Sequence, residues 1–258
     1  CIVVSAPGKR FPEDNKITDL LYLCHAHVTY GVSAESVFEM VRSRYIQIRD
    51  DLGLSLDLEK DFDELYKKMT GGISQDELVS RGEYFSAKLM AAYLGYDFLD
   101  ASLWLKFNFD GTVDEENSYE TLKRLAENRK VVIPGFYGVM PDGTIKLMSR
   151  GGSDITGALA AAALDADCYE NWTDVSGILM ADPRIVDNPQ PIPKATYGEL
   201  RELSYIGAQV LHEGAVFPVR EKGIPLNIRN TNEPSHPGTI ILEKVPEGSV
   251  GVITGVAG

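Results

Sequence analysis

Arg150-Gly151-Gly152-Ser153-Asp154 puts a guanidinium, two adjacent glycines and two helix-capping side chains into five positions. A guanidinium is a planar fork that grips a carboxylate through two parallel hydrogen bonds. Glycines before a helix let a ligand approach the backbone, and a helix start aims free N–H groups outward, which suits an anion. The same residues also read as an ordinary glycine turn with Ser153 or Asp154 as N-cap. A second block, Trp172-Thr173-Asp174-Val175-Ser176-Gly177, is followed by Asp182-Pro183-Arg184. Thr and Asp at a strand end can hold ribose or a metal, and the arginine can meet phosphate. Asp, Pro and Gly are equally the residues of plain turns.

Glu83 lies in Ser80-Arg81-Gly82-Glu83-Tyr84-Phe85-Ser86-Ala87. Glycine inside a helix costs about 1 kcal/mol relative to alanine and is tolerated where something must approach the backbone. An acid flanked by small residues can bind a substrate ammonium. The alternative is a second capping box, Ser80-x-x-Glu83, although Ser74-x-x-Glu77 is the better helix start. Ser5-Ala6-Pro7-Gly8-Lys9 is a short loop after a strand, able to cradle phosphate but lacking Walker A spacing. His25 and His27 do not share a helix face, and His212 and His236 have no evident partner, so no histidine metal site is expected. Two anion-friendly loops on one scaffold point to an enzyme that brings a carboxylate to a nucleoside triphosphate. That requires residue 150 and the 173–174 loop to face one cleft.

The elements that must position these residues alternate. A strand at 1–5 precedes helices from Thr18, from Ser33 to about Leu52, from Asp57 to Met69 and from Ser74 to about Leu94, with Gly53, Gly71-Gly72 and Gly95 as stops. Then come a strand at Tyr96–Leu99, a helix within 112–128, a buried strand at Lys130–Ile133, a loop at Pro134–Gly138 and a hairpin turn at Pro141–Thr144. A helix after Asp154, a strand near Asp167–Trp172, a proline-rich loop at 182–193, two short helices in 197–222 and strands at Leu226–Arg229 and Thr239–Leu242 complete the pattern. Val250–Thr254 resembles a further strand. This alternation indicates an α/β fold with a largely parallel sheet.

Composition narrows the function. The 258 residues are 44% hydrophobic and 24% charged, ordinary for a globular protein. A chain of this length buries roughly 70–75% of its unfolded surface and needs no staples. The three cysteines are odd in number and far apart, which fits reduced thiols in a cytoplasmic protein. No run approaches a membrane span, and the start is not a signal peptide. The formal net charge of −13 argues against nucleic-acid binding. It also means that an anion site must be built locally from arginines, lysines, helix starts and a metal.

Together these blocks resemble the aspartokinases of the amino acid kinase family. The matching stretches run in order from Val3 to about Leu242 and include residues 3–9, 16–21, 80–87, 134–138, 150–154, 172–177, 181–184, 207–212 and 237–239. Ser-Arg-Gly-Glu with Arg-Gly-Gly-Ser-Asp separates aspartokinases from relatives acting on glutamate, acetylglutamate, carbamate or UMP. The resemblance implies a three-layer α/β sandwich around a mainly parallel, roughly eight-stranded sheet. It implies a catalytic domain over 1–245, then a linker and the start of a C-terminal regulatory region over 246–258. The implied reaction is phosphorylation of the L-aspartate side chain by ATP and Mg²⁺ in the cytoplasm, with a homodimer as the expected assembly.

Carried over, Arg150 grips a substrate carboxylate and Glu83 belongs to the same pocket. Thr18, Phe136, Gly151, Gly152 and Ser153 line it. Asp154 orients the catalytic lysine. Ser5, Gly8, Thr173, Asp174, Leu179, Arg184 and Gln209 form the nucleotide set. Two departures follow. The family's first strand, ending Lys-Phe-Gly-Gly with the catalytic lysine, is expected to be missing from this chain, which starts at what resembles the second strand, and absence of that lysine is expected to cost on the order of 10²–10³ in rate. Gln209 replaces a frequent lysine and can hydrogen-bond a phosphate without neutralising it. These departures leave two alternatives: a catalytically impaired aspartate- or nucleotide-binding subunit, or a same-fold kinase for another amino acid.

Overall fold

The computed structural model describes residues 1–149, 151–181, 185–205, 211 and 213–245. Two compact units, 1–153 and 154–258, divide within the first turn of one helix.

In the first unit, β1 (Ile2–Val4) leads into four helices: α1 (Ile17–Thr29), α2 (Glu35–Asp51), α3 (Leu58–Thr70) and α4 (Gln75–Leu94). There follow β2 (Asp97–Phe98), a 3-10 turn at Ala101–Leu103, α5 (Glu115–Ala126) and β3 (Val131–Pro134). The ladder order is β1-β3-β2, all parallel, with Val3 opposite Ile133 and Phe98 opposite Val132. β3 is buried along its whole length, as a central parallel strand must be.

Local chemistry sets the helix ends. The side chains of Asp57, Ser74 and Asp114 accept the N–H of Lys60, Glu77 and Asn117 at 3.3, 3.2 and 3.2 Å. Each such cap contributes about 1 kcal/mol. α4 ends at Gly95, whose φ of 65° is the left-handed conformation glycine adopts without a Cβ penalty. Ser80 lies inside α4, so Ser80-x-x-Glu83 is not a helix start. Phe38, Tyr45, Phe62 and Phe85 interlock α2, α3 and α4, with Phe62 and Phe85 stacked at 4.2 Å.

The expected loop at 134–138 needs correction. β4 (Tyr137–Val139) begins inside it and pairs antiparallel with β5 (Ile145–Leu147) around the expected turn. Tyr137 is wholly buried and sends its hydroxyl to Asp100 at 2.9 Å, so tertiary burial overrides the local glycine signals.

The second unit continues α6 (Gly152–Ala163) and adds β6 (Tyr169–Thr173), β7 (Ile178–Leu179), β8 (Pro191–Ile192) and β9 (Lys194–Thr196). α7 (Tyr197–Tyr205), α8 (Glu213–Glu221), β10 (Leu226–Asn230) and β11 (Thr239–Leu242) complete it. Its ladder order is β6-β10-β11-β9; the outer pairs are parallel and β10–β11 is antiparallel. The α/β class with mainly parallel pairing is therefore as expected. α6 starts at Gly152, which puts Ser153 and Asp154 in the first turn rather than at the cap.

The expected proline-rich loop at 182–193 also holds structure. β8 lies in it and pairs with β7, and both hang on one hydroxyl. The wholly buried Thr239 accepts the N–H of Ile178 at 2.8 Å and donates to the carbonyl of Ile192 at 2.6 Å. The strand expected at 250–254 lies outside the described residues. Among the described residues no helix is long and apolar enough to cross a membrane. All three cysteines are free thiols, and burial pushes Cys24 up to about 11.

Candidate active site

Glu83 is the buried acid of the first unit, on the face of α4 turned toward β1 and α1. Its Oε1 accepts the backbone N–H of Ala6 at 3.2 Å. Its Oε2 is buried with no hydrogen-bond partner among the described residues. Burial pushes the carboxyl up to about 7, against the pull of the Ala6 N–H. Gly82 is small for a reason visible here. A Cβ on it would stand 3.0 Å from the Ala6 Cβ and 3.5 Å from Ile17 Cγ2. What approaches the helix backbone is the end of β1 and the start of α1. Thr18, the second residue of α1, is half-buried.

Phe136, between β3 and β4, has φ 77°. A bulky residue in the left-handed region is strained and persists only where its surroundings fix it. Here the Phe136 carbonyl accepts the N–H of Met148 at 2.7 Å. A Cβ on Gly152 would lie 2.5 Å from the Phe136 ring, and one on Gly135 would lie 2.7 Å from Ser153. The glycine pairs thus bring Phe136, Gly152 and Ser153 together. α4 also carries this segment, because Asp76 accepts the Leu147 N–H at 3.1 Å. Gly151 adopts φ 73°.

Ser5 and Gly8 are exposed at the end of β1. The Gly8 carbonyl accepts from Arg44 at 3.1 Å, and the Lys9 ammonium turns back to the Pro12 carbonyl at 3.1 Å.

In the second unit Asp154 is held from β6. Asn171 Nδ2 donates to Asp154 Oδ1 at 2.9 Å, and the Tyr169 hydroxyl donates to the Asp154 carbonyl at 3.0 Å. Gly157 makes room for the Tyr169 ring, since a Cβ there would be 2.7 Å from its hydroxyl. At the end of β6, Thr173 Oγ1 donates to the exposed Asp174 carboxylate at 3.2 Å. The segment after β10 pins this loop. The Thr231 N–H and hydroxyl both reach the Thr173 carbonyl, at 2.8 and 2.9 Å. Ser176 donates to Glu233 at 2.7 Å and accepts from Asn230 at 2.8 Å. Leu179 is half-buried on β7, opposite Pro191.

Asn171, Asn230, Thr231 and Glu233 carried no motif signal, whereas Ser176 lay within the 172–177 block. Strand alternation offered one clue: Tyr169, Asn171 and Thr173 share a face of β6. Arg150, Arg184 and Gln209 lie outside the described residues.

Each unit has parallel strand pairs with helices, an α/β class of fold, with a buried acid beside a strand end in the first unit and a pinned polar loop after a strand in the second. The model of the amino acid kinase family matches residues 2–230, and the chain belongs to that family. Aspartokinase 3 of Bacillus subtilis (strain 168) is 40% identical over 271 residues, covering 99% of this chain and 60% of that protein. The crystal structure of Clostridium acetobutylicum aspartate kinase is 50% identical with a TM-score of 0.93, over 99% of this chain and 59% of that one. The structure of E. coli aspartokinase III in complex with aspartate and ADP is 26% identical with a TM-score of 0.79, over 95% and 58%. The chain thus spans about three fifths of the length of these relatives.

Proposed function

We propose that this protein transfers the γ-phosphoryl group of ATP to the side-chain carboxylate of L-aspartate, giving 4-aspartyl phosphate and ADP. The observation that carries the reading is Glu83, a buried carboxylate with one oxygen that has no hydrogen-bond partner among the described residues. An α-ammonium supplies the missing donor and charge, and it distinguishes an amino acid from a plain dicarboxylic acid. The likeness to aspartokinases supports the choice of aspartate.

In this reading Arg150 grips a substrate carboxylate, and Thr18, Phe136, Gly151, Gly152 and Ser153 shape the pocket. Asp154, oriented by Asn171, positions the family's catalytic lysine. Ser5, Gly8, Thr173, Asp174, Leu179, Arg184 and Gln209 meet the nucleotide. The attacking carboxylate is ionised at pH 7 and needs no base. Its oxygen bonds to the γ-phosphorus as the bond to the β–γ bridging oxygen breaks, and ADP takes the electron pair. Catalysis is then alignment of two anions plus neutralisation of the spreading charge. Mg²⁺ supplies part of that neutralisation. Among the described residues no group of three or more His, Cys, Asp or Glu is placed to hold a metal ion. The exposed Asp174 is the described side chain suited to meet it.

The domain reading is one catalytic domain over 1–245 with a regulatory continuation, working as a homodimer in the cytoplasm. Light scattering of the full-length protein tests the dimer. Calorimetry tests the substrate: with ADP present, L-aspartate is expected to bind more tightly than L-glutamate. Tighter glutamate binding makes this a same-fold kinase for another amino acid.

A further inference from the structure

The geometry points to Arg44 as a positioning residue for the amino-acid substrate, acting by holding the loop that brings the Ala6 N–H onto Glu83. The inference rests on Glu83 being the partner of the substrate ammonium. Arg44 and Asp14 are both about 5% exposed at their side chains, so this is a buried ion pair between α2 and the loop after β1. Arg44 Nη2 donates to both Asp14 oxygens, at 2.9 and 2.8 Å, and lies 3.4 Å from the Asn15 carbonyl. Its Nη1 takes the Gly8 carbonyl at 3.1 Å. Asp14 also accepts from the Arg10 backbone at 3.0 Å and from Arg10 Nε at 2.9 Å. Hydrogen bonds from Arg10, followed by the Arg44 charge, hold the Asp14 carboxyl well below the usual carboxylate range. Residues 8–15 are therefore folded around one carboxylate and fastened to α2 chiefly by the buried Arg44 guanidinium, with Arg10 Nη1 also 3.5 Å from Gln47 Oε1 of α2.

The next residue of α2 fixes the other wall. The Tyr45 hydroxyl donates to the Gly82 carbonyl at 2.6 Å, one residue before Glu83. The two walls meet where Gly82 faces the Ala6 Cβ. Arg44 and Tyr45 thus set the distance between the Ala6 N–H and the Glu83 carboxylate from a single helix turn. A buried ion pair is a poor source of stability compared with apolar packing, because both charges lose their water. A planar fork reaching three separate acceptors is instead well suited to fixing a loop. Without it the segment around Ala6 keeps β1 and the Ile17 N–H on the Pro7 carbonyl at 3.3 Å, but loses its anchor on α2, and the Ala6 donor to Glu83 is held less closely.

The test uses steady-state kinetics of the full-length protein with Arg44→Met, Arg44→Lys and the double variant Arg44→Met/Asp14→Asn. The double variant removes both charges, so neither is left buried alone. The expected result for Arg44→Met and the double variant is an aspartate KM raised about tenfold or more, with kcat and the ATP KM within about threefold. Arg44→Lys should recover part of the loss. An unmoved aspartate KM overturns the inference, as does an equal rise in both KM values. Loss of the folded far-UV spectrum in both Met variants overturns it too, since Arg44 would then serve stability alone. A wild-type protein with no aspartate-dependent turnover removes the proposed function and this inference together; wild-type turnover with unmoved variants removes this inference alone.

Discussion

The Ala6 backbone N–H meets Glu83 Oε1 at 3.2 Å, joining the end of β1 to the middle of α4 across 77 residues of sequence. One oxygen is thereby fixed, and the other is buried with no hydrogen-bond partner among the described residues. The contact exists because Gly82 has no side chain to hold the strand end away.

Aspartate affinity should depend on the ionisation of Glu83. Burial pushes its carboxyl up to about 7, so the free protein holds it largely protonated below that pH. An ammonium prefers the ionised form, and the aspartate KM should therefore fall as pH rises from 6 to 8. The groups facing Glu83 are the Ala6 N–H, Tyr22 of α1 and Tyr45 of α2; both phenols are raised first by burial and then in part by acidic charge, from Asp76 and Glu83 at Tyr22 and from Glu83 at Tyr45. Neither phenol ionises in that window. Glu83→Gln should raise the aspartate KM, abolish the slope and leave the ATP KM nearly alone.

Stability should show the same group with a definite sign. The folded-state value lies above the ordinary 4.5, so the folded protein binds the extra proton between about 4.5 and 7. Stability tied to that proton is complete below 4.5 and is lost as pH rises through 7, an effect of about 3 kcal/mol. In thermal melts without ligand, Glu83→Gln should gain on the wild type as pH rises from 5 to 8. A constant difference in Tm across that range would contradict the assignment.

Asn171→Leu removes the amide that orients Asp154. Its expected effect is on turnover: kcat should fall about tenfold or more with both KM values within a fewfold, as for loss of transition-state alignment.

The loop at 173–177, proposed above to meet the nucleotide, should give the converse pattern. Asn230→Ala removes the donor to Ser176 and the acceptor of the Asn232 N–H, loosening residues 173–177. The ATP KM should rise severalfold while the aspartate KM stays put.

Gly238→Ala tests the frame. With φ at 73° and a Cβ that would stand 1.9 Å from the Ile228 carbonyl oxygen, the β10–β11 turn has no room for it. A loss of about 3 kcal/mol or more is expected in chemical denaturation.

Much of this frame was legible in the sequence because its signals are local. The Ser74 hydroxyl and the left-handed Gly95 bound α4, and the Asp57 carboxylate and the left-handed Gly72 mark the ends of α3. Gly82 signalled a close approach, but not that the approaching group is Ala6. β4 and β8 were hidden inside glycine- and proline-rich stretches, since buried Tyr137 and the Thr239 hydroxyl order them from a distance. Arg44 was invisible for the same reason: its carboxylate partner lies 30 residues away. Asn171 differs from any strand asparagine only in facing Asp154.

The most direct test of the central claim is chemical trapping of the product. The full-length protein is incubated with Mg-ATP, hydroxylamine and either L-aspartate or L-glutamate, and the hydroxamate is read by its ferric colour. Aspartyl hydroxamate formed in step with ADP, with little or none from glutamate, is the predicted result. ADP without hydroxamate, or no aspartate-dependent turnover at all, would contradict it.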